Sequence, residues 1–159
     1  MIRTSVVWAR KAHPYRGTYA ESSYAIDSQE QLVRIKVWGE LTVEGLIELM
    51  KHAGADPRYV PGMPAIADYR DAHGDWDYSD IQRFRDYIVR IAVRKQARWA
   101  AVVKPGALAA MGHILILISE AVGCRIRMRL FDEPAAALRW VKESDGSDVS
   151  GRLCLGPGG

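Results

Sequence analysis

From Val33 to Val141 the apolar residues switch repeatedly between two spacings, every second residue and every third or fourth. A strand presents alternate side chains to one face, and a helix repeats about every 3.6 residues, so each switch marks a change of element. Leu32-Val33-Arg34-Ile35-Lys36-Val37-Trp38 sets Val33, Ile35 and Val37 against Arg34 and Lys36. That is the pattern of a half-buried strand. The β-prone Tyr24-Ala25-Ile26 precedes it across the turn-forming Asp27-Ser28-Gln29-Glu30, and so short a connection predicts an antiparallel hairpin.

Gly39 is expected to break the strand, and Thr42 to cap a helix carrying Val43, Leu46, Ile47 and Met50 at helical spacing. Gly54 suits the left-handed position that ends it. After a loop with Pro57, Pro61 and Pro64, residues Ala65 to Tyr69 read as a strand entering the acidic loop Arg70 to Tyr78. Ser79, with Gln82 three residues on, reads as the capping box of a second helix. Its stripe is Ile81, Phe84, Ile88 and Ile91, and its last turn is read as carrying Arg94, Lys95 and Arg98.

Trp99 to Val103 is a continuous apolar run, as in a strand buried on both faces. A helix is expected from Ala107 to Val122, ending at Gly123, then an alternating strand Ile126 to Phe131. Asp132 is placed as the cap of a final helix, with Pro134 in its first turn and Ala137, Leu138, Trp140 and Val141 following. The order ββαβαβαβα predicts an α/β domain. A five-stranded mixed sheet, opened by an antiparallel hairpin and continued by parallel strands, would carry four helices.

Residues 1–22 hold four of the 22 basic side chains and one of the 19 acidic ones, so the whole net charge of +3 resides there. They are assigned as a basic N-terminal arm in which Ser5-Val6-Val7-Trp8 could add an edge strand. Residues 23–143 are the domain, and 144–159 a flexible tail rich in Ser, Asp and Gly. A domain with balanced charge argues against nucleic acid as partner, since such binders carry their basic excess on the folded surface. No run approaches the ~20 apolar residues of a membrane span. Cys124 and Cys154 form neither a disulfide framework nor a metal spacing, which fits a reducing cytoplasm.

A set of residues in order resembles the SpoIIAA-like family, which belongs with STAS domains and SEC14-type lipid-binding proteins in one fold group. These are Gly39 with Leu41-Thr42, Asp56-Pro57, Pro61-Gly62-Met63 and Ala67-Asp68-Tyr69-Arg70. Ala100 to Val103 and Phe131 with Ala137-Leu138-Arg139-Trp140 complete the set, over about residues 24–142. The resemblance implies a five-stranded, four-helix domain without catalysis, in a regulatory binding or an apolar-ligand role. In anti-sigma factor antagonists of that group a phosphorylatable Ser or Thr follows an Asp at the end of the third strand. Here Asp68 is followed by Tyr69 and Arg70, so the resemblance does not extend to a phospho-switch.

Several clusters were weighed as sites. Asp71, His73, Asp75 and Asp77 alternate like calcium ligands, but Gly74 stands where no such loop places its glycine and no glutamate closes the set. A polar loop favouring a helix N-terminus explains them as well. Ser79 reads as a cap before a phosphosite. His13, His52, His73 and His113 show no metal-ligand spacing, and neither a nucleophile elbow nor a phosphate loop occurs. Arg125, Arg127 and Arg129 on one face of the last strand could meet an acidic partner or guard a sheet edge. The segment Leu108 to Ser119 is apolar nearly all round, which predicts burial on several sides, a dimer contact, or the wall of an apolar pocket.

These readings converge on a non-catalytic binding or regulatory domain without cofactor or metal, acting on a protein partner or on a second copy of itself. The contact surface would draw on Tyr69, Arg70, Trp76, Tyr78 and Ser79. The alternative is a SEC14-like carrier or sensor of an apolar small molecule or lipid, with a ligand rim at the carboxyl ends of the strands that includes Asp68, Lys104 and Asp132. Metal-dependent hydrolysis through the Asp/His loop is the third.

Overall fold

The structure, a computed structural model, describes residues 13–16, 21–92 and 96–143. Ser5 to Trp8, the 144–159 tail with Cys154, and Arg94 and Lys95 lie outside the described residues. The five expected strands and four helices are all present in the expected order. They are β2 (Glu21–Asp27), β3 (Leu32–Glu40), α1 (Val43–Ala55), β4 (Ala65–His73), α2 (Tyr78–Ile91), β5 (Ala97–Val102), α3 (Ala107–Ala121), β6 (Ile126–Phe131) and α4 (Pro134–Lys142). A short strand β1 (His13–Arg16), within the segment assigned as a basic arm, pairs antiparallel with β2 and extends the sheet.

The strands lie side by side in chain order, β1 to β6. β2 and β3 form the antiparallel hairpin, and β3, β4, β5 and β6 run parallel. Three successive parallel crossovers to the neighbouring strand, all of the usual right hand, must leave their helices on one face. Accordingly α1 and α2 bury Leu46, Leu49, Phe84 and Ile88 against Ile26, Val33, Ile35 and Val37, with Leu108 and Leu115 of α3 packed alongside. α4 follows the last strand, is bound by no crossover, and covers the other face. There Ala137, Trp140 and Val141 meet Leu32, Ile66, Ala100 and Val102.

Several local expectations are corrected. Gly39 does not end β3; with φ of 75° it lies inside a strand whose register with β4 shifts between Lys36 and Trp38. α1 passes through Gly54 and ends one residue later. The second helix is capped by Asp77, not Ser79. Asp77 accepts from the Asp80 N–H at 2.8 Å, and Asp80 returns the bond at 3.2 Å, so Gln82 plays no part in the box. A carboxylate two residues earlier starts the helix sooner and favours its positive end. Arg98 is not in that helix: α2 ends at Ile91, and Arg98 is buried in β5, donating to the Trp140 carbonyl at 2.9 Å. Asp132 does not cap α4; Glu133 occupies that position without a side-chain bond, and Pro134 fixes the first turn. Thr42 caps α1 as expected, accepting from Gly45 N–H at 3.1 Å. Gly123, at φ of 70°, follows α3.

Candidate functional site

The sheet is unevenly furnished on its two faces. Beneath α4, β4 and β5 present Ile66, Ala100 and Val102, filled by Trp140 and Val141. On the opposite face the same strands present Ala65, Ala67 and Ala101 between the larger Tyr69 and Trp99. Helices cross a sheet at a spacing set by their largest contacts, so short side chains beneath them leave space. The result is a partly open cavity of ≈ 560 Å³ between the sheet and α1, α2 and α3. Its floor is Val33, Ile35 and the three alanines; Leu46 and Met50, Phe84 and Tyr87, and Met111 and Leu115 wall it from the three helices.

The run Trp99 to Val103 is therefore not packed on both faces. Arg98, Ala100 and Val102 are buried, whereas Trp99 and Ala101 border the cavity. The apolar helix α3 is likewise not buried on several sides. Ser119 is its only buried residue; Leu108, Met111 and Leu115 wall the cavity, and Ile114 (40% exposed) and Leu117 (65%) face outward. Of the three roles expected for it, pocket wall is the one the structure shows. Gly112 lets the helix approach β6, since a Cβ there would lie 3.0 Å from both Leu130 methyls.

A volume of ≈ 560 Å³ falls within the roughly 300–1,000 Å³ of small-molecule sites. Water fills such a space poorly, because each molecule wants two to four polar partners. The polar atoms available are few. Trp76 spends its indole N–H on the Leu41 carbonyl at 2.9 Å and its backbone N–H on Met111 Sδ at 3.2 Å, while its ring meets Phe84 edge-on. Burial pushes the Tyr59 phenol up, against a hydrogen bond from the Gly62 backbone. Tyr87 is raised by burial in the same way. Tyr69 differs. Burial alone pushes its phenol well above the ordinary value, and its hydroxyl makes no hydrogen bond among the described residues.

Two Asp-x-Arg clasps of identical pattern frame the site. Asp56 accepts from Arg58 N, Nε and Nη2 at 2.9, 2.9 and 2.7 Å, and from the Tyr24 hydroxyl at 3.2 Å. The Arg58 contacts hold the Asp56 carboxyl far below the usual carboxylate range and fix the loop that delivers Tyr59, Pro61 and Met63 to the cavity. Asp68 accepts from Arg70 N, Nε and Nη2 at 3.0, 3.0 and 2.9 Å, and from Lys36 Nζ at 3.0 Å; Lys36 also reaches Asp71 at 2.8 Å. Burial alone would raise Asp68, but Arg70 and Lys36 overcome it and lower the carboxyl to about 2. Because strand residues alternate, this clasp on the α4 side directs the intervening Tyr69 into the cavity.

The candidate residues thus separate into three places. Tyr69 and Trp76 line the cavity. Asp68 and Arg70 form an ion network on the other face. Tyr78 (56% exposed), Ser79, Lys104 and Asp132 are exposed on the surface. Tyr59, Tyr87 and Trp99 escaped the sequence reading as site residues, although the odd-numbered register of Ala65, Ala67, Tyr69 with Trp99 and Ala101 was available as a signal. Among the described residues no group of three His, Cys, Asp or Glu is placed to hold a metal, and no helix is long and apolar enough to cross a membrane.

Sheet order, the single-sided trio of helices and the opposed α4 define a SpoIIAA-like α/β fold. The structure of an uncharacterised protein of the DUF3478 family from Shewanella loihica PV-4, described as having a SpoIIAA-like fold, matches with a TM-score of 0.51. The match is 17% identical and covers 80% of this chain and 98% of that one. At that identity the likeness establishes the fold. No family model and no curated protein matches the chain.

Proposed function

We propose that the protein is a carrier or sensor of an apolar small molecule, held between the sheet and α1, α2 and α3. The observation that carries this reading is the ≈ 560 Å³ cavity, whose lining is overwhelmingly hydrocarbon and aromatic. Burial of apolar ligand surface there replaces poorly bonded water and fills a space that the side chains leave empty. The site needs no catalytic group for this role. Gentle purification followed by organic extraction and mass spectrometry tests it: a stoichiometric apolar compound, or saturable uptake of N-phenylnaphthylamine by the emptied protein, is expected. The absence of both a co-purified compound and dye uptake would refute it.

A protein-interaction role remains a second reading, favoured by the 56% exposure of Tyr78 at the start of α2, beside exposed Ser79. Trp76 no longer belongs to that surface, since its indole is turned inward to Leu41. Substituting Tyr78→Ala should then abolish partner pull-down without altering dye uptake; unchanged recovery of partners removes the surface.

A further inference from the structure

We propose that the ligand is an uncharged amphiphile, such as a long-chain alcohol, ketone or ester, which enters with a hydrogen-bond acceptor foremost and accepts a hydrogen bond from the Tyr69 hydroxyl. This deepens the cavity reading above and rests on it. Tyr69 lines this apolar cavity, and its hydroxyl has no hydrogen-bond partner among the described residues. The Trp99 indole N–H, on the same face of the neighbouring strand, also makes no hydrogen bond among the described residues. Both groups can donate, and no acceptor among the described residues competes for the Tyr69 hydroxyl, so a ligand acceptor that reaches it finds a ready donor.

The lining also sets the charge. Two cationic residues contribute to it, Lys51 and Arg129. Lys51 is exposed on α1, and the Arg129 guanidinium lies 5.4 Å over the Phe131 ring, on the α4 side. No carboxylate lines the cavity. With Lys51 exposed and the Arg129 guanidinium on the α4 side, a carboxylate or phosphate carried deep inside, away from Lys51, would meet no cation, and burying an unpaired ion is far more costly than burying a hydroxyl or carbonyl.

The test is competition of dodecanol and dodecanoate against N-phenylnaphthylamine, at about pH 8, where the acid is fully ionised. Dodecanol should displace the dye at concentrations at least roughly tenfold lower than dodecanoate. In Tyr69→Phe, which removes one oxygen and keeps the ring, dodecanol should weaken about five- to tenfold, the loss of one hydrogen bond, while dye affinity stays within about twofold. Dodecanoate competing as well as dodecanol, its head group then held at Lys51, would overturn the inference and leave the cavity reading standing. So would unchanged dodecanol affinity in Tyr69→Phe. A wild-type protein that takes up no dye overturns both.

Discussion

Ala67 of β4 and Ala101 of β5 are register partners on adjacent parallel strands, and together they turn two methyl groups toward the space where a packed core would hold larger side chains. The cavity is a consequence of that pair. Substituting Ala101→Leu puts three further carbons into the space. Dye affinity should fall by at least roughly tenfold, whereas stability in urea should hold or rise by up to about 2 kcal/mol, at about 0.8 kcal/mol per buried methylene. A variant that binds the dye like wild type would mean that the dye sits elsewhere.

Gly74 is fixed by its neighbour's backbone. A Cβ there would lie 2.8 Å from the Leu41 carbonyl oxygen, the same oxygen that accepts the Trp76 indole bond. Leu41 N–H also donates to the His73 carbonyl at 2.7 Å, so the two segments cannot part cheaply. Gly74→Ala should cost about 1–3 kcal/mol in urea denaturation and red-shift Trp76 emission as the indole loosens. Wild-type stability would show that the crossing yields.

The Asp68 clasp predicts a pH dependence. Its carboxyl is lowered from 3.8 to about 2 in the fold, so the folded protein binds this proton less tightly than the unfolded chain. The contribution is complete above the unfolded value and is lost as pH falls from about 4 toward 2. Lys36 and Arg70 keep 24% and 35% of their side-chain surface in water, which reduces the effect to about 1–2 kcal/mol. Urea denaturation at a series of pH values should show the wild type losing this increment below about pH 4 and Asp68→Asn losing correspondingly less. Parallel slopes for the two proteins would assign acid sensitivity to other carboxylates.

Much of this architecture is legible in the residues, and the limits have physical causes. Alternation in Val33, Ile35 and Val37 identifies β3 because one face is buried and the other carries Arg34 and Lys36. The same logic misleads at Trp99 to Val103. An apolar side chain facing a cavity and one facing a packed helix read alike, since both leave water, and pattern carries no record of volume. The helix α3 was ambiguous for the same reason. Its uniform apolarity fits a pocket wall with Ile114 and Leu117 outward as well as it fits full burial. Ser79 was mistaken for a cap because Asp77 offers an equally good one two positions earlier, and the choice depends on where β4 releases the chain. The division of Asp68 from Tyr69 follows from strand alternation. Their consequences, an ion clasp on one side and a tyrosine lining the cavity on the other, required the helices to be in place.

Nuclear magnetic resonance of alanine-methyl-labelled protein, titrated with N-phenylnaphthylamine, tests the central claim most directly. Occupation of the cavity predicts saturable shifts of the Ala65, Ala67 and Ala101 methyls, which line it, while the Ala137 methyl beneath α4 stays unmoved. Shifts confined to Ala137 or scattered over surface alanines, or no shift at all, would contradict it.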